Sequence, residues 1–219
     1  MIKAVVFDMD GLMFDTEKIG IRTWNTLSEE LGYPKLYNLI YTCFGTNDNF
    51  KRKYFAEVLG EDFPYDYFRK REIEVTGKTL EEEGVPHKPG LVELLQYLKD
   101  NNIKRAVATS TPQNPALKHI KSAGVYDYFD VIITGDMTEK GKPEPDIYLK
   151  ACEELGVDPK DAMGLEDSFN GIRAVFSAGM KAVMIPDMVE PDDEMHSKCY
   201  AIKESLTDVI SLIDEINKN

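Results

Sequence analysis

Two aspartates stand two residues apart in the stretch Phe7-Asp8-Met9-Asp10-Gly11-Leu12-Met13-Phe14-Asp15, just past the apolar run Ala4–Phe7. If the chain stays extended there, a period of two points both carboxylates the same way. In an open α/β sheet, ligands bind beyond the C-terminal ends of the strands, so both acids would face such a site. The same residues also suit a polar turn with a helix cap; a calcium loop is a further reading, but the later acids of that pattern are missing. Three other stretches raise related chemistry. Glu166-Asp167-Ser168 follows the run Met163–Leu165 and offers adjacent carboxylates. These suit a hard, oxygen-seeking cation, Mg²⁺ above all, or else an ordinary helix cap by Asp167 or Ser168. Lys140-Gly141-Lys142-Pro143-Glu144-Pro145-Asp146 presents compact positive charge suited to a phosphate oxygen, on a segment stiffened by its prolines; the plain alternative is a solvated loop lysine. Ala108-Thr109-Ser110-Thr111 offers hydroxyls and backbone N–H groups at a strand-to-helix turn, able to grip phosphate oxygens or simply to form the turn. Each of the last three is weak alone. All four follow an expected strand, in an order that lines them along one sheet edge, and that coincidence points to one shared site.

The elements that would position them can be read from the spacing of apolar residues. Ala4–Phe7, Ala106–Thr109, Val131–Thr134 and Ala182–Ile185 are short apolar, β-branched runs, and Met163–Leu165 is a weaker one because Gly164 lowers strand propensity. Helical patterns cover Gly90–Asn101, Pro115–Ala123, Asp146–Leu155 and Gly171–Ala178, and the tail from Ser205 to Ile216 has the spacing of a docking helix. Strand–helix alternation with short connections predicts an α/β fold with a doubly wound, Rossmann-like parallel sheet. Residues 16–86 break that rhythm: Trp24, Leu27 and Leu31 follow one helix face, and Phe63, Tyr65, Tyr67 and Phe68 form an aromatic cluster better suited to a core than to a cofactor box. They are expected to form a helical domain inserted after the first strand, leaving 1–15 and 87–219 as the α/β core, with a hinge at the two crossings.

Composition bounds the partners. With 42% apolar and 30% charged residues, the 219-residue chain has ordinary soluble globular content. Its 26 basic and 39 acidic residues give a net charge of −13, which disfavours nucleic acid and anionic lipid; a phosphorylated ligand would need a local positive site. Cys43, Cys152 and Cys199 are odd in number and far apart, so a disulfide framework or zinc site is not expected, and reduced thiols in a cytosol fit better. No apolar run nears the ~20 residues that span a bilayer, and no secretory signal is visible, so a cytoplasmic protein is expected.

Taken together, the residues resemble the haloacid dehalogenase-like (HAD) hydrolase superfamily. They most resemble the branch that contains β-phosphoglucomutase, phosphoglycolate phosphatase and pseudouridine-5′-phosphatase. Asp8, Asp10, Gly11 and Asp15 match its first motif, Thr109 its second, Lys142 of Gly-Lys-Pro-x-Pro its third, and Glu166-Asp167 with Gly171 and Ala178-Gly179-Met180 its fourth. The resemblance implies an inserted helical cap and a Mg²⁺-dependent phosphatase acting on a small phosphorylated metabolite. Asp8 would be the nucleophile that forms an aspartyl-phosphate, and Asp10 the general acid and then base. Mg²⁺ would sit among Asp8, the Asp10 carbonyl, Asp167 and Glu166. Lys142, Thr109 and Ser110 would hold the phosphoryl oxygens. Gly45-Thr46-Asn47 resembles the cap loop that reads substrate, and Arg71 lies where a basic cap residue sits. His87, His119 and His196 match no catalytic position of the family. A monomer is the default expectation for a capped domain of this type.

Dehalogenases of the superfamily lack the second aspartate, so Asp10 argues against them. Phosphomutases carry a cap histidine twelve residues after the nucleophile, where this chain has Gly20, and a cap-loop arginine where a gap-free alignment places Asp48. Both departures favour hydrolysis. A non-catalytic phosphometabolite-binding protein on the same fold is the alternative from another class; loss of catalysis should erode the nucleophile or acid first, and Asp8, Asp10, Lys142 and Asp167 are all present. Sugar phosphates, phosphoglycolate and nucleoside monophosphates all remain open as substrates.

Overall fold

The computed structural model describes residues 1–43, 48–187 and 189–218. The chain divides into two compact units, one formed by 1–15 and 86–219 and the other by 16–85. The first unit is built on a parallel sheet of β1 (Ala4–Phe7), β2 (Lys104–Ala108), β3 (Val131–Ile133), β4 (Ala162–Glu166), β5 (Lys181–Met184) and β6 (Ala201–Ile202). Their order is β3-β2-β1-β4-β5-β6. The sheet therefore grows in one direction from β1 through β2, and in the other through β4. That reversal between β1 and β4 is the switch point at which open α/β sheets bind ligands.

The second unit consists of α1 (Thr16–Leu31), α2 (Leu36–Cys43), α3 (Asp48–Leu59) and α4 (Tyr65–Glu83), with no strand among its described residues. Trp24 is its centre: the indole lies edge-on to Phe55 and Phe68, and its N–H donates to Glu72 at 2.7 Å. Phe63 and Tyr65 join this core, whereas Tyr67 points outward, 49% exposed. The aromatic cluster is thus a packing device, as expected from its residue types, with Tyr67 as the exception.

Among the described residues, the α-helices of the sheet unit are α5 (Leu91–Asp100), α6 (Gln113–Ser122), α7 (Asp146–Leu155), α8 (Phe169–Ser177), α9 (Asp193–Lys198) and α10 (Leu206–Lys218). Ile147, Tyr148, Ala151 and Cys152 of α7 and Ile172, Ala174 and Val175 of α8 share one buried cluster with Ala4, Val6, Ala106, Ala108, Ala162 and Ala182. Small residues on the strands let both helices approach closely. Gly164 is the sharpest case, because a Cβ there would come within 2.6 Å of the Val175 methyls. The glycine that lowers strand propensity is what allows β4 to lie fully buried beneath α8. Among the described helices, none is long and apolar enough to cross a membrane.

Candidate active site

Strand register brings three of the singled-out stretches level. Phe7 pairs with Val107 on one side and Leu165 on the other, so the next residues, Asp8, Ala108 and Glu166, stand side by side where the strands end at the switch point. The Asp8 N–H still donates to the Leu165 carbonyl at 3.0 Å, which fixes its backbone. Beyond it the chain turns tightly: Met13 and Phe14 N–H groups both donate to the Met9 carbonyl, and Gly11 adopts a positive φ of 88°. A Cβ at Gly11 would collide with the Asp167 carboxylate, so only glycine lets this backbone lie against the fourth motif.

Lys142 ties the acids together. Its ammonium donates to Asp8 Oδ1, to Glu166 Oε1 at 2.6 Å and to the Ala108 carbonyl at 3.0 Å. Burial alone would push this lysine toward neutrality, but the two carboxylates hold its pKa above the ordinary value. Glu166 is wholly buried, and both of its oxygens are committed. Oε1 also accepts from the Tyr148 hydroxyl at 2.6 Å, and Oε2 accepts from the Ser168 backbone N–H at 3.3 Å and hydroxyl at 3.0 Å. Tyr148 is thus a site residue that motif spacing did not single out. It sits on the buried face of α7, where an apolar pattern reads simply as core.

Asp8, Glu166 and Asp167 each present a carboxylate oxygen, all within 4.8 Å of one another. Two of these carboxylates share the Lys142 ammonium and the third stands beside them, and carboxylates gathered so closely favour further positive charge. Burial pushes the Asp8 carboxyl up to about 7; Lys142 opposes that rise, and Glu166 and Asp10 add to it. A divalent cation with an appetite for oxygen ligands would supply the missing charge, so the donor set fits one.

The other expected site residues fall as follows. Asp10 accepts from the Thr111 hydroxyl at 2.7 Å. Thr109 is buried just past the end of β2, with its hydroxyl accepting from the Thr111 N–H at 3.0 Å, while Ser110 is exposed on the same turn. The Arg71 guanidinium, on α4, is held by Glu30 through paired 2.9 Å bonds and by Glu74 at 2.7 Å, three of its five donors engaged within its own unit. Thr46, with Gly45 and Asn47, lies outside the described residues. His119, on α6, is pushed down by burial while Asp10 pulls it upward, which marks it as a neighbour of that acid.

A doubly wound parallel sheet with an inserted helical unit and acids gathered at the switch point defines a Rossmann-like α/β class with an acidic switch-point site. The sequence pattern of the haloacid dehalogenase-like hydrolases matches residues 2–179, and the chain belongs to that family. It is 35% identical to the phosphorylated carbohydrates phosphatase of Thermotoga maritima, over 83% of this chain and 84% of that protein. It is 31% identical to the β-phosphoglucomutase of Bacillus subtilis, over 83% and 82%. Among solved structures, CbbY of Rhodobacter sphaeroides bound to xylulose 1,5-bisphosphate superposes with a TM-score of 0.74 at 28% identity, covering 94% of this chain and 96% of that one.

Proposed function

We propose that this protein, a phosphoric monoester hydrolase of the family, is a Mg²⁺-dependent phosphatase of small phosphate monoesters in which Asp8 is the nucleophile. The observation that carries the reading is the Lys142 ammonium lodged between Asp8 and Glu166 at the switch point. A buried lysine so placed orients the Asp8 carboxylate and sets a positive charge beside the phosphoryl group which that carboxylate attacks. Asp8 attacks phosphorus as the bond to the leaving oxygen breaks, giving an aspartyl-phosphate, and Asp10 protonates the departing oxygen. Asp10 then takes a proton from the attacking water, which releases inorganic phosphate and restores Asp8. Thr109 and Ser110 help Lys142 hold the non-bridging oxygens. Because both Glu166 oxygens are committed to Lys142, Tyr148 and Ser168, we assign Glu166 as the anchor of the lysine and Asp8, Asp167 and the Asp10 carbonyl as the Mg²⁺ ligands. When bound, Mg²⁺ would shield the repulsion between these carboxylates and the phosphate dianion.

The phosphatase among the relatives supports phosphorylated carbohydrates as first substrates to try. Hydrolysis is favoured over mutase chemistry because Asp48, aligned with the mutase arginine, is an acid whose carboxylate is occupied by the Tyr65 hydroxyl at 2.8 Å and by Arg69 at 3.2 Å. The test is inorganic phosphate release from sugar phosphates, phosphoglycolate, nucleoside monophosphates and β-glucose 1-phosphate, with Mg²⁺ or with chelator. Release that requires Mg²⁺ is expected. No release by folded protein, or conversion of β-glucose 1-phosphate to glucose 6-phosphate without free phosphate, defeats the reading.

The ligand assignment has a readout apart from turnover. An ion that binds only the folded chain raises its melting temperature, so Mg²⁺ in the millimolar range should stabilise the wild type. Asp167→Asn should lose most of that rise. An undiminished rise in the variant would remove Asp167 from the ligand set.

A further inference from the structure

We propose that Thr111 is a positioning residue for Asp10, holding the acid's carboxylate in the orientation from which it exchanges a proton with the leaving oxygen. The inference rests on the role given to Asp10 above, and it starts from a hydroxyl with an unusual destination. Pro112, which has no side-chain acceptor, takes the N-cap position of α6, and Thr111 stands one residue ahead of it. Helix α6 begins after Pro112 and has no side-chain cap bond. The Thr111 hydroxyl instead donates to Asp10 Oδ2 at 2.7 Å, joining residues 101 positions apart.

The hydroxyl can direct an acid because its own backbone is fixed at both ends. The Thr111 N–H donates to Thr109 Oγ1 at 3.0 Å, and its carbonyl accepts from the Gly135 N–H at 3.2 Å. Gly135 itself presses against the same turn: a Cβ there would strike the Ser110 carbonyl, whose carbon would be 2.8 Å away. Pro112 further restricts the residue before it to extended conformations. Thr111 thus sits on a turn held by the next strand's end, and it reaches across to the loop after β1.

The hydrogen bond holds one oxygen of the Asp10 carboxylate and so sets the plane in which the group meets the leaving oxygen. In the first step the Asp10 proton passes to the leaving oxygen as its bond to phosphorus breaks. In the second, a proton of the attacking water returns to the Asp10 carboxylate as the water oxygen bonds phosphorus and the bond from Asp8 to phosphorus breaks. Thr111 neither gains nor loses a proton. The same turn carries Thr109, so the group that holds phosphoryl oxygens and the one that aims the acid are set by a single backbone segment.

A misaimed acid has a signature that a loosened fold does not. Protonation of the departing oxygen matters greatly for an alkoxide and little for 4-nitrophenolate, which leaves unaided. kcat/KM, which covers steps through departure of the alcohol, should be measured on 4-nitrophenyl phosphate and on the sugar phosphate most rapidly cleaved. Thr111→Val is expected to lower the sugar phosphate value by about tenfold or more, as befits a lost hydrogen bond to a carboxylate, and the aryl value by less than about threefold. Thr111→Ser should restore both, and Thr111→Ala should repeat the split if the valine packs badly. Asp10→Asn serves as reference and should show the same split, enlarged. A split in Asp10→Asn with equal losses, or none, in both the Val and Ala variants overturns the role of Thr111 alone. Absence of the split in Asp10→Asn overturns the acid role of Asp10, and the proposal with it.

Discussion

Asp8→Asn should abolish phosphate release while leaving a folded protein. The expected loss is at least about a thousandfold, because removing a nucleophile eliminates the covalent route and leaves only binding and positioning. Stability should not follow activity down. Asp8 is a buried carboxylate in a cluster with more acids than cations, and burial holds its pKa well above the ordinary value. A neutral amide of the same shape removes repulsion with Glu166 and Asp10. It also weakens one bond of Lys142, which keeps Glu166 and the Ala108 carbonyl. The metal-free variant should therefore melt within roughly 5 °C of the wild type. A second readout separates nucleophile from mere neighbour. Acid-quenched wild type should carry a phosphoryl group on the peptide containing Asp8, and the variant should carry none. A phosphorylated peptide elsewhere in the chain would move the nucleophile away from Asp8.

Much of this site could be read before any coordinates because its chemistry clusters at strand ends. β1 and β4 lie buried at the centre of the sheet, so their sequences are short, apolar and abruptly closed by acids. Elements with mixed environments were less legible. β2 begins at Lys104, two residues before its apolar run, because the side chains of Lys104 and Arg105 leave the sheet to bond the Leu155 and Tyr128 carbonyls. β6 is two residues long and only half buried, too brief to carry a pattern. Glu166-Asp167-Ser168 read as a metal site or as a cap by Asp167 or Ser168; the Glu166 partners Lys142 and Tyr148 lie 24 and 18 residues away and meet it only through the fold. Arg71 is a mixed case. Its pairing with Glu74, three residues on, is visible in sequence, but Glu30 is 41 residues distant and meets it only through the fold.

Lys142→Met carries the second large expectation, and it separates two roles that coincide in one side chain. Methionine keeps much of the buried volume but strips the cation from between Asp8 and Glu166, whose side chains are almost completely enclosed. Breaking such a group by removing one partner costs ~3–5 kcal/mol, because charge is left buried without compensation. In a chain of this size that is a fall in melting temperature on the order of 10 °C in metal-free buffer. Activity should fall at least about a hundredfold, since the same ammonium faces the developing phosphoryl charge. Adding Glu166→Gln to Lys142→Met then divides these losses. The amide oxygen can still accept from Tyr148 and Ser168, and Asp8 is left as the buried carboxylate that has lost its cation, so much of the stability should return. Turnover should not, because no cation has been restored. If turnover recovers with stability, Lys142 serves only to balance buried charge and phosphoryl stabilisation must come from elsewhere. If the single variant melts like the wild type, the carboxylates are better solvated than their burial indicates, and the lysine's central place in the proposed mechanism falls with that burial.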